Sequence, residues 1–539
     1  MAPPGGTSRP LSRGCRRLQS TAPRPLFQER KPMNRILGLV AAGTAVLTLT
    51  TGCVVTGNQN SGNSTSAGAA GEAGGPRLRV ALNFAPVAEL SPYTDDASSL
   101  MRLGVSESLI SIDADGAPQP ALAEKFEMVD EMTARFTLRP GVTFHDDTPV
   151  TATAVAASLN AALEADPAPS TVSGRDLTIT AEGEDVVTVK AAEADPILIM
   201  RFANPDMVIL APKAYEKNPN QPDPIDAGTG PFELTTLNGS THATLEANTG
   251  YWGGTPKAAG LDVQFISKAD ARVNAMRAGE LDVFQNVPVA QLPNMDGFTV
   301  ESRPIPRTSG LYLNTRSGAF ADSGLRVAAA KAIQGDVIAR TIFEGHADPA
   351  KGIFRGDVEW TRDRVAPTYA EAKDPAGTAI TIATYSDRPE LSEAVTVIAD
   401  QLRSAGFVVE TPVVKEYTVL EPEIMAGQYD MVLLSRMYMS KANDPLSLVQ
   451  LDFTCEGGYN LSFLCDPAVD EVVSAATGKS DVAERRAAAV EAEALVLGSG
   501  AYIPVVHEQV RIGRVNELSG LAQDPLEWKM ITEQTTISR

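Results

Sequence analysis

Between Arg77 and Arg539 the chain alternates short runs of two-residue apolar period with longer stretches of helical period, and glycines stand where the helical stretches stop. Leu78, Val80, Leu82 and Phe84 mark a strand over 78–84. Ser267-Lys268-Ala269-Asp270 resembles a capping box, and it opens a helix that buries Val273 and Met276 and stops at Gly279. Leu281-Asp282-Val283-Phe284 then returns as a strand. The unit recurs: Leu391, Val395, Ile398 and Leu402 form one stripe, Gly406 ends it, and Phe407-Val408-Val409 extends. A third helix stops at Gly427 before the strand Tyr429 to Leu434. Such alternation predicts an α/β fold with helix-covered sheets. More than 450 residues exceed what one core usually holds, so two or more lobes are expected, with the ligand site at strand ends or between lobes.

The chain ahead of this body sets the compartment. Met33-Asn34-Arg35 is a short basic start, and Ile36 to Thr50 is an apolar run shorter than the roughly 20 residues needed to span a bilayer. Leu49-Thr50-Thr51-Gly52-Cys53 follows and reads as a bacterial lipoprotein cleavage site with Cys53 as the lipidated residue, although Thr50 stands where such sites carry Leu, Val or Ile. Residues 1–52 are therefore leader and signal peptide, with Met33 the expected initiator and 1–32 without a role in the fold. Residues 53–76, rich in Gly, Ser, Ala, Asn and Thr, read as a lipid-anchored flexible tether with an end-to-end distance of about 25 Å. The expected location is the extracytoplasmic face of the cell membrane, out of reach of cytosolic ATP and NAD.

Charge and cysteines are consistent with that setting. Residues 1–52 carry eight Lys and Arg against one acidic residue, which puts −28 of formal charge on the chain from Cys53 onward. So acidic a body is a poor partner for nucleic acid. Cys455 and Cys465 lie ten apart around Glu456-Gly457-Gly458-Tyr459-Asn460, and outside the cytoplasm they are expected to pair as a disulfide worth about 2 to 3 kcal/mol.

Catalytic readings find little to stand on. Gly478-Lys479-Ser480 resembles the end of a phosphate-binding loop, but Val473 occupies the place of its first glycine. His145, His242, His346 and His507 are isolated, with no zinc-type pair, and Asp113-Ala114-Asp115-Gly116 lacks the remaining ligands of a calcium loop. No Gly-x-Ser-x-Gly elbow is present. No catalytic residue, cofactor or resident metal is assigned. A secreted hydrolase stays as the alternative of another class because a Ser/His/Asp set can be scattered in sequence.

Several blocks carry a resemblance. Ala121 to Phe126, Arg135 to Asp147 and Thr151 to Leu159 form one set; Gly228-Thr229-Gly230-Pro231-Phe232 through Asn248, Tyr251-Trp252-Gly253-Gly254 and Gly279 to Asp282 form another. Leu311 to Asn314, Tyr429-Asp430, Asn443-Asp444-Pro445 and Tyr459-Asn460 follow in order. Together they resemble the family 5 extracellular solute-binding proteins, the peptide and nickel-chelate receptors of ABC importers. The resemblance implies a two-lobed periplasmic-binding-protein fold of type II, in the large oligopeptide-binding class, with an extra subdomain in lobe one. Lobe one would take 77–305, with the subdomain at about 102–225; lobe two would take 306–507; and 508–539 would return to lobe one. It also implies a monomer that closes on a small-molecule or peptide ligand and delivers it to permease and ATPase subunits, without chemistry. Tyr251-Trp252 is expected to be a packed corner. Where the family has Gly the chain has Asp147, and it lacks acidic residues at Thr153 and Ala154, for a local cost of about 1 kcal/mol.

The resemblance places ligand contacts at Arg436, Tyr438, Lys441, Asn443, Asp444, Tyr459 and Asn460. Peptide receptors of the family commonly carry Asp four residues before the Pro, to receive an ammonium group; here that place is Lys441, which favours an anionic group instead. Ser435-Arg436-Met437-Tyr438 is similar to the nickel-chelate branch, whose carboxylate-rich chelators basic residues could clamp. A peptide, a metal chelate and an opine-type solute all remain open.

Overall fold

A computed structural model describes residues 75–113, 117–439 and 444–538. Cys53, the tether up to residue 74, Lys441 and Asn443 lie outside the described residues, whereas Gly75, within the expected tether, forms a bridge with Ala258.

The elements that position the site begin with β1 (Leu78–Leu82), α1 (Ala97–Arg102), β2 (Ala123–Asp130), β3 (Thr133–Leu138) and α2 (Ala152–Glu164). Then come β4 (Leu177–Glu182), β5 (Val186–Ala191), β6 (Phe232–Asn238), β7 (His242–Ala247), β8 (Gly260–Phe265), α3 (Ala269–Arg277) and β9 (Val283–Gln285). β10 (Thr299–Leu313), β11 (Ile382–Tyr385), α4 (Pro389–Ser404), β12 (Val413–Lys415), α5 (Tyr417–Met425) and β13 (Met431–Met437) follow. The last are α6 (Pro445–Phe453), α7 (Pro467–Thr477), α8 (Val482–Ser499) and β14 (Tyr502–Arg514).

One sheet runs in the order β12-β11-β13-β10-β14-β9-β1-β8-β7-β6. β1 is buried and pairs in parallel with β8 and β9, which is why its sequence is almost continuously apolar. β10 and β14 are long enough to serve both halves. Their antiparallel ladder runs from Thr299 opposite Arg514 to Tyr312 opposite Tyr502, and it shifts register between Pro304 and Thr308. Pro304 and Pro306 cannot donate to a ladder, so a strand inside a sheet admits them only at such an irregularity. On one side of the shift β14 pairs with β9, and on the other β10 pairs with β13.

A separate antiparallel sheet, β2-β3-β5-β4, carries α2. Thr151 caps α2 by accepting the Ala154 N–H (3.2 Å), and Val155 and Leu159 are buried beneath it. The last segment of the chain packs with β1 and β6–β8, where Met530, Ile531 and Ile537 share a core with Leu78, Phe232 and Leu261.

Most helical expectations hold. Val273, Met276, Leu391, Val395, Ile398 and Leu402 are buried, and Gly279, Gly406 and Gly427 follow their helices at positive φ. Two details differ. Ser267 is no cap: α3 starts at Ala269, and the Arg272 guanidinium takes the Ile266 and Ser267 carbonyls instead. β1 ends at Leu82 and leaves Phe84 exposed, because the chain turns there into a loop gathered by the Asp96 carboxylate, which accepts the N–H groups of Val87, Ala88 and Leu90.

Candidate functional site

Of the site residues expected from sequence, Arg436 and Tyr459 come together. Arg436, on β13, donates to both oxygens of the fully buried Asp452 (3.0 and 2.8 Å) and lies 4.2 Å from the centre of the Tyr459 ring. Tyr312 adds its hydroxyl to Asp452 at 3.2 Å. Burial works against the Arg436 charge, but the Asp452 carboxylate outweighs it and raises the guanidinium's pKa. The Tyr459 hydroxyl meets that of Tyr417, whose ring packs edge-on against Tyr385 at 5.4 Å. These tyrosines and Arg436 form one partly buried wall on the β11–β13 half.

The other described candidates serve the fold where they stand. Tyr438 is buried, its ring against Phe354 (5.3 Å) and its oxygen accepting the Arg355 N–H (3.4 Å). Asp444 caps α6 through the Ser447 N–H (3.0 Å) and pairs with buried Arg485 on α8. Asn460 ties its loop by donating to the Thr454 and Leu464 carbonyls (2.9 and 2.6 Å), and the Cys455–Cys465 disulfide closes the same loop. Tyr251 and Trp252 donate to the Glu107 carboxylate (2.8 and 3.0 Å), which also accepts from Thr229 (3.1 Å). Gly228 and Gly230 pass close to that corner: a Cβ on either would sit 2.1 and 2.2 Å from the Val105 and Gly104 carbonyl oxygens.

A second group was not foreseen. Where the β10–β14 register shifts, Glu508 lies beside Arg307 in a cluster of charge. Glu508 is buried; it accepts from Ser309 (2.5 Å) and pairs with Arg388 (3.0 Å), the residue just ahead of α4. Arg307 pairs with Glu527 of the C-terminal segment (3.1 Å) and reaches Ser435 of β13 (3.5 Å). Arg102, at the end of α1, donates to the Glu527 carbonyl (2.9 and 2.6 Å). Burial pushes the Glu508 carboxyl up, but Arg388 and Arg307 more than offset it and hold the pKa below the usual range. Burial, with Arg307 and Arg388 nearby, depresses Arg102. Two signals in the sequence point here: the prolines flanking Ile305 in Arg303-Pro304-Ile305-Pro306-Arg307, and Arg388 between a strand end and a helix start. Glu508, Glu527 and Arg102 carry no comparable local mark.

The cluster draws on both halves of the sheet and on both long strands, so it can sense their approach. The open groove between α7 and α8 cannot, since it is lined only by residues from Ala468 to Leu495 of those two helices and their connection. Among the described residues, no three His, Cys, Asp or Glu are grouped to hold a metal, and no helix is long and apolar enough to cross a membrane.

Two α/β lobes joined by crossing strands, with an added antiparallel subdomain, define the class of type II periplasmic binding proteins. A structure of NikA from Staphylococcus aureus in complex with Ni(L-His)2 superposes with a TM-score of 0.74 at 21% identity, over 86% of this chain and 100% of that one. The chain belongs to the bacterial extracellular solute-binding proteins, family 5, whose model matches residues 117–460. It is 26% identical over 338 residues to the nickel-binding protein NikA of Staphylococcus aureus, covering 60% of this chain and 66% of that protein. It is also 26% identical over 307 residues to the glutathione-binding protein GsiB of Salmonella paratyphi A, covering 55% of this chain and 59% of that protein. These matches span about two thirds or less of the relatives' own lengths.

Proposed function

We propose that this chain is the substrate-binding lipoprotein of an ABC importer, which captures a peptide or similar small nutrient between its lobes and hands it unaltered to a permease. The observation that carries this reading is the charged cluster at the register shift, whose members come from α1, the C-terminal segment, both crossing strands and the start of α4. A solute touching such a set favours the closed arrangement only through contacts made to both lobes at once. Lobe one is taken as 77–305 with its subdomain at about 102–225 and the returning segment 508–539, and lobe two as 306–507. Cys53 carries the lipid, and residues 53–76 form the tether that holds the body on the extracytoplasmic face of the membrane.

A metal-chelate or opine-type solute is the second reading, favoured by the guanidinium groups of Arg102, Arg307 and Arg388, which suit ligands rich in carboxylate. A thermal-shift panel of dipeptides, glutathione, opines and nickel–histidine tests both. At least one compound should raise the melting temperature by several degrees, as a ligand at about 100 times its Kd stabilises by about 2.7 kcal/mol. No shift across the panel, with turnover of a model peptide or ester, would favour the hydrolase.

A further inference from the structure

The first turn of α4 makes a second connection between the halves of the molecule, beside the crossing strands. Glu390 stands in that turn, where a carboxylate complements the helix dipole, and it is buried. Its side chain reaches the segment that follows β9: it accepts the Val289 N–H (3.1 Å) and pairs with Arg511 of β14. Arg511 also donates through Nε to the Val287 carbonyl (2.7 Å), so one guanidinium holds both the carboxylate and the segment. Buried Arg272 of α3 adds positive charge near Glu390, and Arg388 and Glu393 are other charges close to it. The packing crosses at the same place. Val287 belongs to the core of Val273, Met276 and Phe284, whereas Val289, two residues on and 1% exposed, belongs to that of Leu391, Val395 and Ile398. Leu292, in the 3-10 turn Val289–Met295, packs against both.

Resting on the two-lobe solute-binding reading above, we propose that this contact is a pivot: Glu390 and Val289 stay together while the lobes open and close, and the crossing strands flex beside them. Drawing the turn away from α4 would part a buried carboxylate from its guanidinium and uncover Val289, and breaking a buried ion pair is among the costliest changes a fold can suffer. The crossing strands yield more easily, because their ladder is already interrupted between Pro304 and Thr308. With the register shift and the Glu390 contact both fixed, the lobes rotate about the line that joins them, and twisting about the strands is suppressed.

Hydrogen exchange of the ligand-free full chain, read at the Val289 amide from overlapping peptides over 286–295, tests this together with small-angle scattering. A contact released whenever the lobes change state, with the minor state populated at about 0.1 to 10%, protects its amide only about 10- to 1,000-fold. A pivot should protect Val289 beyond about 1,000-fold. Glu390→Gln, which keeps the shape and removes the charge, should speed that exchange about tenfold. It should also enlarge the radius of gyration of the ligand-free chain, since the lobes then turn on the strands alone. Protection of Val289 within the range of an opening contact overturns the pivot, and so does a variant that leaves either quantity at the parent's value. If Glu390→Gln does not fold, the exchange of the parent decides. Each of these failures leaves the solute-binding reading standing, because that reading falls only with the thermal-shift panel.

Discussion

Thr308 donates its hydroxyl hydrogen to the Ile353 carbonyl (2.7 Å), so its 2.8 Å contact with His507 is one in which the imidazole Nδ1–H donates. That neutral ring sits on β14 next to Glu508, and burial, reinforced by Arg355 and Arg364, lowers its pKa from the ordinary value to about 4. Below pH 6.5 the unfolded chain takes a proton that the folded chain refuses. The stability linked to His507 is therefore complete above that pH and is lost as pH falls toward 4, by roughly 3 kcal/mol. Urea unfolding at pH 7 and pH 4.5 should show His507→Asn losing less stability on acidification than the parent, and equal losses would contradict this. At this scale the sequence was legible in part. Arg436, Tyr459, Cys455 and Cys465 stand in recognisable blocks, and they do meet. Arg102 lies about four hundred residues ahead of Glu508 and Glu527, and only the topology makes it their neighbour.

Elements were easier to read than sites, because a helix or strand announces itself within about a dozen residues and a cluster of charges does not. The α4 stripe and the glycine stops are local and were read correctly. The start of α3 differs because the N-cap position falls on Lys268, whose side chain has no acceptor for the first-turn N–H groups, while Ser267 lies one residue further out with its carbonyl held by Arg272. The turn ahead of α2 offers a clean test of local cost. Asp147 holds φ 64° on an exposed turn, where glycine would sit without a Cβ penalty. Asp147→Gly should stabilise the protein by about 0.5 to 1 kcal/mol, offset in part by the added freedom of the unfolded chain. A lower midpoint in thermal unfolding would refute this account of the turn.

Across the whole molecule, the fold turns on two strands that serve two half-sheets. Their pairing breaks between Pro304 and Thr308, and the break lies beside Arg307 and Glu508, so a motion at the joint and a contact with the solute would act on the same residues. Alternation of elements and the length of the body made two lobes legible in advance. The joint was not, because the register of long antiparallel strands depends on partners two hundred residues away. Small-angle X-ray scattering of the full chain, with and without a ligand that raises its melting temperature, addresses the central claim most directly. Closure of two lobes on a bound solute predicts a smaller radius of gyration on saturation and recovery of the unaltered solute on release. Scattering that stays unchanged through saturation, or a solute returned as cleaved product, would contradict it.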